Sequence, residues 1–243
     1  IACEDTRQTR KLLEHYGISK PVISYHEHNE RERATELAEK MAEGQSIALV
    51  TDAGTPLVSD PGYRLVQAAI SHGVSVVPIP GPSAAIGALS AAGLATDSFR
   101  FCGFLPPKSS QRRKLLEESK QETATLIYYE TPHRILEALE DIAAVLGNRP
   151  VVVARELTKM HEEFLRGSAA EIHTLLAARP SVKGEITLLI GKSDGPVADA
   201  EVSIEEAVLA AERSGMARMD AIKYVAKERG LNKRDVYKLM TGD

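Results

Sequence analysis

Ile47-Ala48-Leu49-Val50-Thr51-Asp52-Ala53-Gly54-Thr55-Pro56-Leu57-Val58-Ser59-Asp60-Pro61-Gly62 opens with four apolar residues and turns polar at Thr51. A short apolar run bounded by Gly and Pro is the pattern of a strand covered on both faces. Residues 51–62 carry loop chemistry: hydroxyls, carboxylates and a glycine in a path stiffened by Pro56 and Pro61. In open α/β sheets ligands sit beyond the carboxyl ends of strands, so this strand-to-helix loop is a candidate binding site. The competing reading is a tight connection in which Asp60 caps a helix opening at Pro61 or Gly62.

Working outward, the same alternation recurs. Upstream, Asp5 or Thr6 caps a helix running to Tyr16, Pro21 to Tyr25 reads as a strand, and Asn29 caps a helix ended by Gly44. Downstream come a helix from Pro61 to His72 and a strand from Val74 to Ile79. Strands alternating with helices predict a parallel α/β layer. The run Pro78-Ile79-Pro80-Gly81-Pro82-Ser83 is dense in turn residues and marks a hinge. Beyond it a helix of small residues (Ser83 to Ala92) leads to predicted strands at Phe99–Phe104, Thr125–Tyr129, Val151–Ala154, Glu163–Arg166 and Glu185–Ile190. Helices near Gln111–Ser119, Pro132–Leu146 and Ala169–Ala178 lie between them.

The fold class expected is therefore α/β: one α/β domain over residues 1–80, a second over 81–193, and a small helical domain over 200–243 after a linker at Asp194–Ala200. Three helices are predicted in the last part, about Ile204–Arg213, Ala217–Glu228 and Lys233–Met240. Ala226, Gly230 and Val236 fall where a helix-turn-helix places a small residue, a turn glycine and a core residue. Lys223, Lys227, Arg229, Lys233, Arg234 and Lys238 are its candidate nucleic-acid contacts.

Composition narrows the classes. The 243 residues are 43% hydrophobic and 26% charged, enough apolar material for a sizeable core. Cys3 and Cys102 have no metal-ligand or redox spacing, and no apolar run approaches a membrane span, which together predict a cytoplasmic protein with no membrane partner. The chain begins with Ile and no signal pattern comes after it, as expected of a cut or processed chain. Net charge is −4, yet residues 216–243 alone carry +3, so the tail is locally basic. A second basic cluster, Lys108, Arg112, Arg113 and Lys114, lies just beyond Pro106-Pro107; phosphate contact needs only such a patch.

The chemistry carries no dinucleotide fingerprint, no P-loop and no nucleophile elbow. His26 and His28 share one side of an extended segment, but nothing supplies a third ligand, so no metal centre is expected. There remains a set of polar clusters at strand ends, which in a parallel sheet share one edge and can converge on a cleft between the two domains.

Six ordered runs sharpen this: Ala2-Cys3-Glu4-Asp5-Thr6-Arg7, Val50 to Gly62, Pro80-Gly81-Pro82-Ser83-Ala84, Gly103-Phe104-Leu105-Pro106, Tyr129-Glu130-Thr131-Pro132-His133-Arg134 and Ala154-Arg155-Glu156-Leu157-Thr158-Lys159. Together they resemble the bacterial 16S ribosomal RNA 2′-O-ribose methyltransferases I, a branch of the tetrapyrrole methylase superfamily. The resemblance implies two α/β domains with S-adenosyl-L-methionine in the cleft between them, a homodimer, and 16S rRNA or the small ribosomal subunit as partner. Carried over by position, the cofactor-binding residues are Ala53, Gly54, Thr55, Val58, Ser83, Ala84, Glu130, Thr158 and Gly184. The family also begins with a further strand and a Pro/Gly loop, so the N-terminal strand is expected to be missing here.

For the reaction the resemblance implies attack by the 2′-hydroxyl of a cytidine ribose on the cofactor methyl. Asp5 aligns with the superfamily's proton acceptor, its other reading being the N-cap of the first helix. Glu4 and Arg7 tune it, and Glu130, His133 and Arg134 are second candidates, Arg134 for phosphate. Lys108, Arg112 and Arg113 are expected to hold the RNA backbone. A porphyrinoid methylase and a non-catalytic nucleic-acid-binding protein are the alternatives.

Overall fold

A computed structural model describes residues 1–193 and 203–241, which form two compact units, Ile1–Lys192 and Ser193–Asp243. The expected linker at Asp194–Ala200 lies outside the described residues.

The first unit contains two sheets. In the smaller, β1 (Ala2–Cys3), β2 (Ile23–Ser24) and β3 (Leu49–Val50) run parallel in the order β2-β1-β3, with Ala2 opposite both Ile23 and Leu49. Helices α1 (Thr6–His15), α2 (Glu30–Ala42) and α3 (Tyr63–Ser71) connect and succeed these strands. Leu37 and Ala34 from α2 and Leu65 from α3 close over Ala2 and Tyr25, all nearly inaccessible to water. Parallel strands need such crossovers, and the helices they carry cover the sheet.

The larger sheet holds β4 (Phe99–Phe104), β5 (Thr125–Glu130), β6 (Pro150–Arg155), β7 (Glu163–Ser168) and β8 (Ile186–Ile190) in the order β4-β5-β8-β6-β7. Side chains alternate between its faces. Leu126 and Tyr128 of β5, with Leu188 and Ile190 of β8, meet α5 (Ser109–Glu118), α6 (Ile135–Leu146) and α7 (Ala169–Ala177). Ile127 and Leu189 turn the other way, onto Ala85, Ala88, Leu89 and Ala92 of α4 (Ala84–Ala92). The small residues of α4 thus let a helix backbone lie close on the sheet, and with both faces covered the inner strands β5, β8 and β6 read as largely apolar runs.

Three expectations are corrected. Only β4 and β5 pair in parallel; β8 lies antiparallel to both β5 and β6, and β7 antiparallel to β6, so the larger sheet is mixed. Val74–Ile79 is not a strand, and Val77 and Ile79 are 71% and 81% exposed. Its β-branched composition suits a pleated, half-buried surface, but the run finds neither ladder nor cover among the described residues. Asp60 is not the cap of α3: Gly62 holds that position at φ +145°, and a Cβ there would press on Leu49 and Leu57.

The second unit consists of α8 (Ile204–Arg213), α9 (Arg218–Glu228) and α10 (Lys233–Thr241) around Val208, Ile222, Val225 and Val236. Ser203 and Glu206 form a capping box on α8. Among the described residues no helix is long and apolar enough to cross a membrane.

Candidate active site

The polar ends of strands from both sheets of the first unit surround a cavity of about 650 Å3. The loop after β3 contributes Ala53, Gly54, Thr55, Val58, Ser59 and Asp60; α4 contributes Ala84; and the segment from β5 into α6 contributes Tyr129 to Pro132. The β6–β7 connection closes the far side with Glu156, Leu157 and Lys159, beside Gly184 at the approach to β8. Seven of the nine residues expected to bind a cofactor therefore line one cavity: Ala53, Gly54, Thr55, Val58, Ala84, Glu130 and Gly184. Of the other two, Ser83 is the N-cap of α4, its Oγ accepting from the Ile86 N–H at 3.4 Å, and Thr158 stands between Leu157 and Lys159. Thr55 Oγ1 donates to the Pro82 carbonyl at 2.8 Å, tying the β3 loop to the start of α4.

The backbone around this cavity is unusual. Among the described residues the non-glycine residues with positive φ are Leu57 (73°), Ser59 (65°), Glu156 (53°) and Thr158 (65°). All four belong to the two loops that face each other across the cavity. Such conformations are costly, most of all for a β-branched residue such as Thr158, and persist where surrounding contacts over-determine them. Those contacts are visible: Thr158 N–H donates to Glu162 at 2.7 Å, while Glu156 Oε1 accepts from Glu185 N–H at 3.0 Å and from Lys159 Nζ at 2.9 Å. Gly184, at φ +90°, leaves the Glu156 side chain the space a Cβ would fill.

Glu130 is 3% exposed. Its carboxylate accepts from Thr131 N–H at 2.7 Å and from Arg134 Nη2 at 3.1 Å, and the same Nη2 donates to the Leu105 carbonyl. Burial nevertheless pushes its pKa up, the neighbouring guanidinium only partly compensating. Phe104 and Tyr129, their ring centres 5.8 Å apart, form an aromatic wall that the expected site lacked, although both residues fall inside the six ordered runs.

Glu4, Asp5 and Arg7 stand at the carboxyl end of β1, outside the residues that line the cavity. Asp5 caps α1: its carboxylate accepts from Arg7 N–H at 2.8 Å and from Arg7 Nε and Nη2 at 3.1 and 2.7 Å. Those bonds hold its pKa down to about 2. Glu4, hydrogen-bonded by Thr51 Oγ1 at 3.5 Å, moves the opposite way, raised by burial and then by the charges of Asp52 and Asp60. Asp52 itself accepts from the Asp5 N–H at 3.3 Å, joining the β1 and β3 ends.

The expected RNA-holding role of Arg112 does not survive. Its side chain is wholly buried, donating to Asp141 at 2.7 Å and to the carbonyls of Pro106 and Pro107. Arg113 joins the same carboxylate from the surface, at 2.5 Å. Arg112 is structural because helical spacing turns position 112 inward onto α6, while Lys108, Arg113 and Lys114 stay exposed.

Residues 1–173 match the family described as Tetrapyrrole (Corrin/Porphyrin) Methylases. The chain belongs to the tetrapyrrole methylase family. Similar members include proteins named Ribosomal RNA small subunit methyltransferase I. That of Halalkalibacterium halodurans is 49% identical over 98% of this chain and 84% of its own; that of Escherichia coli O157:H7 is 45% identical over 95% and 86%. Among solved structures, a diphthine synthase aligns with TM-score 0.58 at 16% identity, covering 79% of this chain and 78% of its own. A cobalt precorrin-4 methyltransferase aligns with 0.51 at 17%, covering 78% and 82%. At those identities the fold alone is shared. In this methylase, then, the cavity stands at the strand ends of both sheets of the first unit.

Proposed function

We propose that this methylase transfers the methyl group of S-adenosyl-L-methionine to the 2′-hydroxyl of a cytidine ribose in small-subunit (16S) ribosomal RNA. The observation that carries the reading is a cavity lined by Ser59 and Glu156, with the other two non-glycine positive-φ residues of the described chain, Leu57 and Thr158, in the same two loops, in a chain 49% identical to a relative named for that ribosomal RNA.

The residues present suit the cofactor. A volume of about 650 Å3 falls within the range of small-molecule sites, and Gly54, at φ +79° with open space around its Cα, lets a ligand approach the backbone. When bound, the cofactor supplies an activated methyl group on a sulfonium. Ala53, Gly54 and Thr55 with Ser83 and Ala84 would hold its amino-acid and ribose ends, Leu57 and Val58 its adenine, and Glu130, Thr158 and Gly184 the far side. The locked loops fix the site before the ligand arrives, so little ordering is left to oppose binding.

Removing the proton from the ribose hydroxyl needs a base whose pKa lies near the working pH. Asp5, pinned by Arg7 and ionised down to about pH 2, is a weak acceptor and acts as the charged cap that positions α1. Glu4, raised and sharing its edge with Asp52 and Asp60, is the better acceptor. Arg134, steadied by Glu130, would contact RNA phosphate. The reading includes a cytoplasmic homodimer.

The test is transfer of labelled methyl to small ribosomal subunits that lack the modification, with the label mapped to base or ribose and the oligomeric state measured by sedimentation. Ribose-bound label supports the reading. Cofactor binding with transfer to a porphyrinoid and none to RNA overturns it.

A further inference from the structure

The helical unit separates its charge. Helix α8 carries Glu205, Glu206 and Glu212 against Arg213, whereas residues 218–241 carry seven Lys or Arg against Asp220, Glu228 and Asp235. The cations therefore sit on α9 and α10, joined by a tight turn in which Gly230 adopts φ +62° and Leu231 N–H closes on the Ala226 carbonyl at 2.8 Å. Ala226 and Val236 are buried at the crossing of the two helices, as a helix-turn-helix requires. Their opposite faces present exposed Lys227, Lys233 and Arg234, together with Tyr224 and Tyr237, 49% and 45% exposed. Exposed phenol rings among cations form a surface unsuited to a water-facing role alone and well suited to bases and phosphates.

We infer that the α9–α10 face is an RNA-binding surface that holds an unpaired stretch of the substrate RNA, with Lys227, Lys233 and Arg234 on phosphates and the tyrosine rings stacked on bases. Geometry selects the unpaired strand: A-form RNA has a deep, narrow major groove that shuts out a recognition helix, whereas loop bases splay out to meet aromatic faces. The inference rests on the ribosomal RNA reading above and adds to it which surface grips the RNA.

The test uses the full chain, with a looped fragment of unmodified small-subunit RNA and a fully paired duplex of equal length as probes. In the variant Lys227→Gln/Lys233→Gln/Arg234→Gln, affinity for the looped RNA should fall ~10-fold or more, and the slope of log affinity against log salt should shrink by about 2. Tyr224→Ala should cost ~5-fold or more on the loop and leave the duplex unaffected. RNA KM rises in both variants, while kcat and cofactor affinity hold. Unchanged RNA affinity and KM in an active triple variant overturn the inference and leave the functional reading standing. A loss seen with assembled subunits but not with naked RNA assigns the surface to a ribosomal protein and overturns it too. A wild-type protein that binds cofactor yet neither binds nor methylates RNA brings down the functional reading itself.

Discussion

Gly184 and Glu156 compete for one volume: a Cβ at position 184 would overlap Cγ and Cδ of the Glu156 side chain. Glu156 cannot simply swing aside, because its carboxylate is hydrogen-bonded to Glu185 N–H and Lys159 Nζ. Gly184→Ala should therefore destabilise the fold by about 1–3 kcal/mol, the usual range for overpacking, and weaken S-adenosylmethionine binding as the β6–β7 loop shifts. Urea unfolding and calorimetric titration read the two effects. A variant matching wild type in both would show the loop to be freely adaptable.

Thr158 offers the reverse experiment. A β-branched residue at φ +65° stores roughly 1–2 kcal/mol, and glycine at the same place gives back about 0.5–1 kcal/mol of that through its looser unfolded state. Thr158→Gly should thus stabilise the protein by under about 1 kcal/mol while lowering cofactor affinity, since the loop loses its fixed shape. Stability and affinity moving in the same direction would contradict a strained, pre-shaped site.

The carboxylates at the end of β1 separate by pH. Asp5 has a folded pKa of about 2 against an ordinary 3.8, so the stability it contributes is present above the unfolded value and is lost as pH falls toward 2. It stays ionised throughout the working range and cannot set the acid limb of the rate profile. Glu4, raised, places that limb above the ordinary glutamate range. In kcat/KM profiles, Glu4→Gln should abolish the limb, and Asp5→Asn should lower the rate without moving it. A limb that persists in Glu4→Gln would remove Glu4 from the role.

Arg112 separates structure from binding. Arg112→Met leaves Asp141, itself nearly inaccessible, with Arg113 and Ser109 as partners, and removing one member of a buried pair typically costs about 3–5 kcal/mol. Urea unfolding should register that loss while RNA affinity, measured under conditions where the variant is folded, stays at the wild-type level. A selective fall in RNA affinity would return Arg112 to the interface.

Local chemistry made much of this legible. The apolar run ending at Val50, the helical periodicities, and Gly230 with Ala226 and Val236 each leave a signal within a few residues of the feature they create. Convergence of strand ends on one cavity could be read from five of the six ordered runs, whereas the first, Ala2 to Arg7, contributes nothing to its lining. The features that stayed hidden were set by distant partners. Nothing near Ile186–Ile190 says that it runs antiparallel between β5 and β6, because register and direction belong to the pair. Nothing near Arg112 announces Asp141, which lies 29 positions away. The alternating Val74–Ile79 run has strand propensity and no ladder. The opposite shifts of Glu4 and Asp5 arise from the burial of Glu4 beside Asp52 and Asp60, and from the hydrogen bonds that Arg7 gives Asp5.

The order β4-β5-β8-β6-β7 also governs how the chain can be made. The central strand of the larger sheet is the last to leave the ribosome. Until Ile186–Ile190 emerges, β4 with β5 and β6 with β7 are two ribbons, each with a bare hydrogen-bonding edge facing a gap one strand wide. The pairings across that gap join β8 to residues 56–64 positions away in β5 and 31–39 away in β6, Leu126 with Ile190 the most distant, so closure is a late, slow event in synthesis. This methylase thus depends on translation running almost to the end of its first unit before its larger sheet is sealed against other nascent chains.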